Sequence, residues 1–209
     1  LSSSSAASDV YKRQIIVMGM GEPLDNYEEL LRFIKLVSCE KGIGISQRNI
    51  TVSTCGLVDK IRMLADEKLQ ITLAISLHAP NDEIRRQTMP IANRYTIGEI
   101  IQACKYYFDK TGRRITFEYS MIRGVNDKEE HAKELAGRLS GLNCHINLIP
   151  LNEVKERNCY RSTKEDIEKF KTILEKYRKT VTIRREMGSD IDAACGQLRK
   201  KFLTKNGRN

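Results

Sequence analysis

Short runs rich in β-branched residues alternate, from Ile15 onward, with longer segments whose apolar residues recur every three or four positions. The short runs have the length and composition of buried strands, and the longer segments have the periodicity of helices with one apolar face. Such alternation is typical of right-handed strand–helix–strand crossovers, which join parallel strands. We therefore expect an α/β fold on a parallel sheet. Periodicity alone leaves open whether this is a partial barrel with outer helices or a doubly wound sheet.

Six strands are predicted, and turn and capping signals separate them. Thr96 with Glu99, and Ser162 with Glu165, have the spacing of capping boxes at helix N-termini. Asn126 is expected to open a further helix. The predicted strands start at Ile15 and then lie near Asn49–Ser53, Ile71–Leu77, Ile115–Met121, His145–Ile149 and Val181–Arg185.

The totals describe a globular chain. It has 209 residues, 40% of them hydrophobic and 30% charged, a size that suits one domain with a substantial core. No apolar run approaches the roughly 20 residues that span a bilayer, and no secretory signal is visible, so we expect no membrane partner and a cytoplasmic location. The six cysteines include no C-x-x-C pair, so we assign no metal ligands and expect most of them to be buried thiols.

The positive charge is concentrated towards the end of the chain. The formal charge is +9; residues 1–150 carry 20 Lys and Arg against 18 Asp and Glu, whereas residues 151–209 carry 16 against 9. A basic C-terminal quarter suits a polyanionic partner such as a nucleic acid. A solvated helix face followed by a tail gives the same composition.

The first predicted strand runs into a loop that contains Gly19, Gly21, Glu22 and Pro23. Glycines let a ligand approach the backbone closely, and parallel sheets bind their ligands at the C-terminal ends of the strands. Glu22 supplies a carboxylate of the kind that binds an ammonium group. An ordinary glycine turn before a surface helix has the same sequence.

Small polar residues also follow other strands, at equivalent positions. Ser53 ends the second strand, Ser76, Leu77 and His78 end the third, and Asn152 follows the fifth. Parallel strands would bring them to one mouth, where hydroxyls and amides bind polar ligands. Taken singly, Ser53 is also a helix-cap residue, His78 a structural histidine and Asn152 a turn former.

Two further side chains stand out. Glu118 lies within an otherwise apolar strand, and a carboxylate there needs a partner such as Arg123, Arg184 or a polar ligand. Cys195 lies among small residues in Asp-Ile-Asp-Ala-Ala-Cys-Gly-Gln-Leu, where Asp190 or Asp192 can cap a short helix. Helix N-termini favour thiolates. A buried structural cysteine is the alternative.

Together these motifs resemble the RlmN/Cfr family of radical S-adenosylmethionine (SAM) enzymes, which methylate adenine in ribosomal RNA. The resemblance covers Ile15 to about Leu198 and includes Gly-Met-Gly-Glu-Pro-Leu, Ser-Leu-His-Ala-Pro-Asn and the Cys195 motif. It implies a partial (β/α) barrel. It also implies that Cys195 carries a methyl group during catalysis and that S-adenosylmethionine is bound by Gly21, Glu22, Ser53, Ser76, Leu77, His78 and Asn152.

The same resemblance implies function and partners. It implies methylation of adenine C2 in 23S rRNA and in some tRNAs, with S-adenosylmethionine and a [4Fe–4S] cluster as cofactors and a flavodoxin-like electron donor. The cluster motif C-x-x-x-C-x-x-C is absent from this sequence. We therefore expect a fragment that lacks the first barrel strand and the cluster loop and is itself inactive. Methylation at C8, as in Cfr, and a non-catalytic RNA-binding module are the alternatives.

The resemblance also suggests the boundaries of the chain's parts. Residues 1–14 contain a serine run and no periodicity, and we interpret them as a foreign or artefactual leader. Residues 15–198 form the expected radical SAM core, and residues 199–209 form a basic tail.

Overall fold

A computed structural model describes residues 14–152 and 159–184 of the chain. Six parallel strands form one sheet in these residues, and each strand pairs with the next one along the chain. The strands are β1 (Ile15–Val17), β2 (Ile50–Thr54), β3 (Thr72–Ser76), β4 (Ile115–Met121), β5 (Cys144–Pro150) and β6 (Thr180–Ile183).

The order of the strands separates the two folds that periodicity left open. A doubly wound sheet reverses its strand order at a switch point, whereas the six described strands follow one another in chain order without reversal. Because strand–helix–strand crossovers are right-handed, a uniform direction places the connecting helices on one face of the sheet. This is the arrangement of a partial barrel, as the resemblance implied.

Six α-helices accompany the strands in residues 14–152 and 159–184, and short 3₁₀ turns lie at Pro23–Asn26, Gln47–Asn49 and Pro90–Asn93. None of the helices in the described residues is long and apolar enough to cross a membrane. The helices are α1 (Tyr27–Ser38), α2 (Val58–Asp66), α3 (Asp82–Thr88), α4 (Ile97–Thr111), α5 (Glu129–Arg138) and α6 (Lys164–Lys176).

The two faces of the sheet differ sharply in polarity. Side chains alternate between faces along a strand, and the face that includes Val52, Ile75, Phe117 and Ile146 is fully buried and belongs to the hydrophobic core. We call this the outer face, because the helices cover it. The opposite, inner face is mostly polar, although Ile16, Ala74 and Ile149 also lie on it. Its polar side chains are Thr51, Ser53, Thr72, Ser76, Thr116, Glu118, Ser120, His145, Asn147, Thr180 and Thr182.

The predicted helix starts have mixed outcomes. The capping box of Thr96 and Glu99 is confirmed, with reciprocal hydrogen bonds of 3.2 and 2.8 Å. The prediction for Ser162 is wrong by one residue: Thr163 caps α6 and accepts a hydrogen bond from the Asp166 N–H. Ser162 is buried instead and donates to Asp127.

The prediction for Asn126 is also wrong. Helix α5 begins at Glu129, and Asn126 is fully buried before it. Its amide donates to the carbonyls of His78 and Ser120 at 2.8 Å each, and its side-chain oxygen accepts from the Ile122 N–H at 2.7 Å. Asn126 therefore joins the end of β3 to the end of β4, a role that needs long-range contacts.

Helix α3 was not predicted. Asn81 caps it by accepting a hydrogen bond from the Ile84 N–H at 3.0 Å. The helix is only seven residues long, and its one buried side chain is an arginine, Arg85. A short helix without an apolar stripe gives no periodic signal.

Candidate functional site

A row of polar side chains crosses the inner face near the C-terminal ends of the strands. Register pairs Ser76 of β3 with Glu118 of β4, Glu118 with Asn147 of β5, and Asn147 with Thr182 of β6. We call these four residues the inner row. It lies at the end of the sheet where parallel α/β folds place their ligands.

The loop after β1 is held by the carboxylate of Glu22. One oxygen accepts from the Leu24 N–H at 3.0 Å, and the other accepts from the Cys55 N–H at 2.7 Å. Glu22 therefore connects the loop after β1 to the loop after β2. Each carboxylate oxygen keeps a second lone pair for a cationic donor. Gly21, beside it, has φ +101°, which only glycine adopts readily, and no atom lies within 4 Å of where its Cβ would be.

His78 is held in an uncommon conformation at the end of β3. Its φ is +56°, a left-handed value that costs free energy in a non-glycine residue. Its Nδ1 accepts from the Ser120 N–H at 3.0 Å, so a neutral ring carries its proton on Nε2. Its own N–H and that of Leu77 both donate to the carbonyl of Glu118. The ring is thereby fixed with its Nε2–H as the remaining donor.

The environment of His78 favours the neutral ring. Burial, followed by the positive charge of Arg85, lowers the pKa of His78 to about 4. At neutral pH the residue is therefore an uncharged hydrogen-bond donor rather than a cation.

Arg85 connects the ends of β2 and β3 through hydrogen bonds. Its guanidinium is fully buried and donates to the carbonyls of Cys55 at 2.6 Å, Leu77 at 3.2 Å, and Ser76 and Tyr95 at 3.4 Å each. The described hydrogen-bond partners of Arg85 are all backbone carbonyls, and burial lowers its pKa. The loops after β2 and β3 are therefore fixed relative to each other by one side chain.

The backbone conformation at position 56 and the nearby side chain of Ile100 favour glycine. Gly56 has φ +102°, and a Cβ there would lie 2.8 Å from Cδ1 of Ile100 and 3.5 Å from Nη2 of Arg85. A neighbouring thiol is unreactive: burial, followed by its hydrogen bond to Glu22, raises the pKa of Cys55 to about 12. Cys55 is therefore a thiol, not a nucleophilic thiolate, at neutral pH.

Hydrogen bonds join the inner row across β4, β5 and β6. The Asn147 amide donates to Glu118 Oε2 at 3.0 Å, and Thr182 Oγ1 lies 3.1 Å from Asn147 Oδ1 and 3.0 Å from Nε2 of His145. Burial raises the pKa of Glu118, while the Asn147 hydrogen bond and the charge of Arg184 oppose the rise. Of the two arginines predicted as partners, Arg184 acts on Glu118 through its charge alone, without an ion pair among the described residues.

The predicted site residues within the described part of the chain lie on or after the C-terminal ends of β1, β2, β3 and β5. Ser53 and Ser76 lie half-buried on the inner face, and the Ser53 hydroxyl has no hydrogen-bond partner among the described residues. Asn152 follows the end of β5 and is half-buried. Leu77 differs, because its side chain is fully buried in the core and only its backbone faces the loop. Cys195 lies outside the described residues, as do the leader up to residue 13 and the basic tail.

No group of three or more His, Cys, Asp or Glu side chains that could hold a metal ion occurs within residues 14–152 and 159–184. A [4Fe–4S] cluster needs such a set of ligands, usually cysteines. The described residues therefore do not fit a cluster, whereas the polar inner face with its glycine loop fits a small polar ligand.

Comparisons with known proteins agree with one another. Residues 6–136 match the model of the radical SAM superfamily. Two similar proteins are described as probable dual-specificity RNA methyltransferases RlmN. The one from Lachnospira eligens is 61% identical over 90% of this chain and 54% of its own length. The one from Lachnoclostridium phytofermentans is 55% identical over 98% of this chain and 60% of its own.

A solved structure agrees with these matches. The crystal structure of a radical SAM methyltransferase from Sphaerobacter thermophilus superimposes with a TM-score of 0.86 at 47% identity, over 92% of this chain and 57% of that one. The chain thus spans between half and two thirds of the length of the relatives it matches.

Replacing Arg85 tests its role in holding the strand ends. Arg85→Met leaves four carbonyls without their donor, so we expect the free energy of unfolding to fall by about 3 kcal/mol or more. Arg86→Met, next to it on α3 and exposed, is the matched control and should change stability by less than about 0.5 kcal/mol. Urea denaturation measures both. Equal losses in the two variants would contradict the role.

The pKa of His78 predicts a pH dependence of stability. The unfolded chain takes up a proton at His78 near pH 6.5 and the folded chain only near pH 4. Stability from this residue is therefore fully present above pH 6.5 and is lost as the pH falls towards 4. His78→Asn keeps an acceptor for the Ser120 N–H and tolerates the left-handed backbone, and it should flatten this dependence. Identical slopes in urea denaturation at several pH values would refute the assignment.

Proposed function

Because this chain belongs to the radical SAM superfamily, we propose that its inner face binds S-adenosylmethionine and that the whole protein methylates adenine C2 in RNA, as RlmN-type enzymes do. The observation that carries the proposal is the polar inner face, which ends in the Gly21–Glu22 loop at the mouth of the sheet. The similarity to relatives described as RlmN supports the RNA substrate.

Each proposed contact uses a group that the fold leaves available. The Glu22 carboxylate, already oriented by two backbone N–H groups, accepts from the amino group of the cofactor. The hydroxyls of Ser53 and Ser76 and the Asn152 amide offer hydrogen bonds to its polar edges. His78 contributes its Nε2–H as a neutral donor. Leu77 contributes only packing, because its N–H already donates to Glu118 and its carbonyl already accepts from Arg85.

The bound cofactor would supply the methyl group and the radical chemistry of this superfamily. The proposed carrier of the methyl group is Cys195, on the strength of the motif around it. This role needs a thiol whose pKa is lowered. The pKa of Cys55 is raised instead, so its thiol stays protonated. The [4Fe–4S] cluster requires ligands other than the described residues. A flavodoxin-like electron donor, rRNA and tRNA as substrates, and a cytoplasmic location complete the proposal.

Hydroxyl deletions on the inner face test the binding site. Ser53→Ala should weaken binding of S-adenosylhomocysteine to the purified chain by about fivefold, which corresponds to one neutral hydrogen bond. Stability should not change, because no described residue bonds to this hydroxyl. Glu22→Gln should weaken binding by about tenfold or more, since a charged contact is lost. Isothermal titration calorimetry measures both affinities.

Thr51→Val is the matched control for Ser53→Ala. Thr51 lies on the same face of β2, two residues farther from the mouth, so its loss should leave the affinity unchanged. Equal weakening by Thr51→Val and Ser53→Ala, or no binding to the wild-type chain, would overturn the proposed site.

A further inference from the structure

Glu118 is the one carboxylate of the inner row, and it adjoins the proposed site through both its main chain and its side chain. Its carbonyl accepts the N–H groups of Leu77 and His78 at 3.1 and 3.2 Å. Its side chain lies beside that of Ser76, the register partner on β3. Because Ser76 and Glu118 are paired in register, a ligand bound by the Ser76 hydroxyl would lie beside Glu118.

The carboxylate of Glu118 has one hydrogen-bond donor among the described residues. The residue is only 6% exposed, and the Asn147 amide reaches one of its oxygens, Oε2. No described residue donates to Oε1, and Arg184 forms no ion pair with it there. Oε1 is not sealed away from solvent, because the one buried side-chain atom without a partner in the described residues is Tyr27 Oη. A carboxylate oxygen has lone pairs for further donors, so Oε1 is available to a ligand on the inner face.

The surroundings of Glu118 Oε1 favour a hydroxyl group of the ligand as its hydrogen-bond donor. Glu22, on the β1 side of the sheet, is already available to bind a cationic group of a ligand. A carboxylate oxygen next to a serine hydroxyl suits a sugar diol, since acidic side chains bind ribose hydroxyls in other nucleotide-binding folds. A ligand that reaches both Glu22 and Glu118, across β2 and β3, needs an amino group at one end and a hydroxyl group farther along.

We propose that Glu118 is a further binding residue, whose Oε1 accepts a hydrogen bond from a ribose hydroxyl of the bound S-adenosylmethionine. Asn147 is its positioning residue: it holds Oε2 and is held in turn by Thr182. This inference rests on the proposed function, because it concerns the same bound cofactor. It differs in naming a residue that neither the motifs nor the individual strand ends single out for this contact.

The test compares S-adenosylhomocysteine with its 2′,3′-dideoxy analogue, by calorimetry on the purified chain. The wild-type chain should bind the ribose form about tenfold or more tightly. In Glu118→Gln the amide keeps the Asn147 contact through its oxygen and presents an NH₂ group in place of Oε1. We expect this variant to lose about tenfold in affinity for the ribose form and to bind the dideoxy form unchanged.

Glu168→Gln, an exposed carboxylate on α6, is the matched control and should change neither affinity. Equal weakening of both ligands by Glu118→Gln would mean that the residue only supports the sheet, and unchanged affinities would mean that it makes no contact; either result overturns the inference. Wild-type binding without preference for the ribose form overturns the inference alone. Failure of the wild-type chain to bind either ligand overturns the proposed function as well.

Discussion

A sheet whose crossover helices all lie on one side has to leave its other side to water or to a ligand, and this constraint shapes the whole molecule. The six described strands follow one another without reversal, so one face is covered and apolar and the other is polar. Exposing many apolar side chains to water on the inner face would cost free energy. Filling that face with a packed apolar core would leave no room for a ligand. The polarity of the inner face is therefore both a folding requirement and the basis of the site.

The buried guanidinium of Arg85 converts this open face into a defined site. Loops at strand ends are the most variable parts of an α/β fold, because their backbone groups lack ladder partners. Arg85 donates hydrogen bonds to the carbonyls of Cys55, Ser76 and Leu77. Glu22 accepts from the Cys55 N–H and Asn126 donates to the His78 carbonyl, so these side chains also connect neighbouring loops. Glu22 and His78 thus belong to a network built from the protein's own groups, which reduces the entropy that binding would cost.

Local patterns in the sequence predicted much of this architecture. The bounds of β4 and the capping box of Thr96 and Glu99 were correct, because both depend on adjacent residues. The seven-residue helix that carries Arg85 could not be predicted, since nothing local marks an arginine for burial. The contact between Glu118 and Asn147 likewise depends on strand register, which joins residues 29 positions apart. The core position of Leu77 could have been predicted, because side chains alternate between the two faces of a strand and Ser76 lies on the inner face.

The measurement that tests the account most directly is transfer of the methyl group itself. The full-length protein, reduced and supplied with methyl-labelled S-adenosylmethionine and 23S rRNA, should place the label on C2 of adenine. The Cys195→Ala variant should leave the RNA unlabelled, while it still binds S-adenosylhomocysteine with wild-type affinity. Label on the RNA in the variant, or wild-type protein that binds RNA without labelling it, would contradict the account.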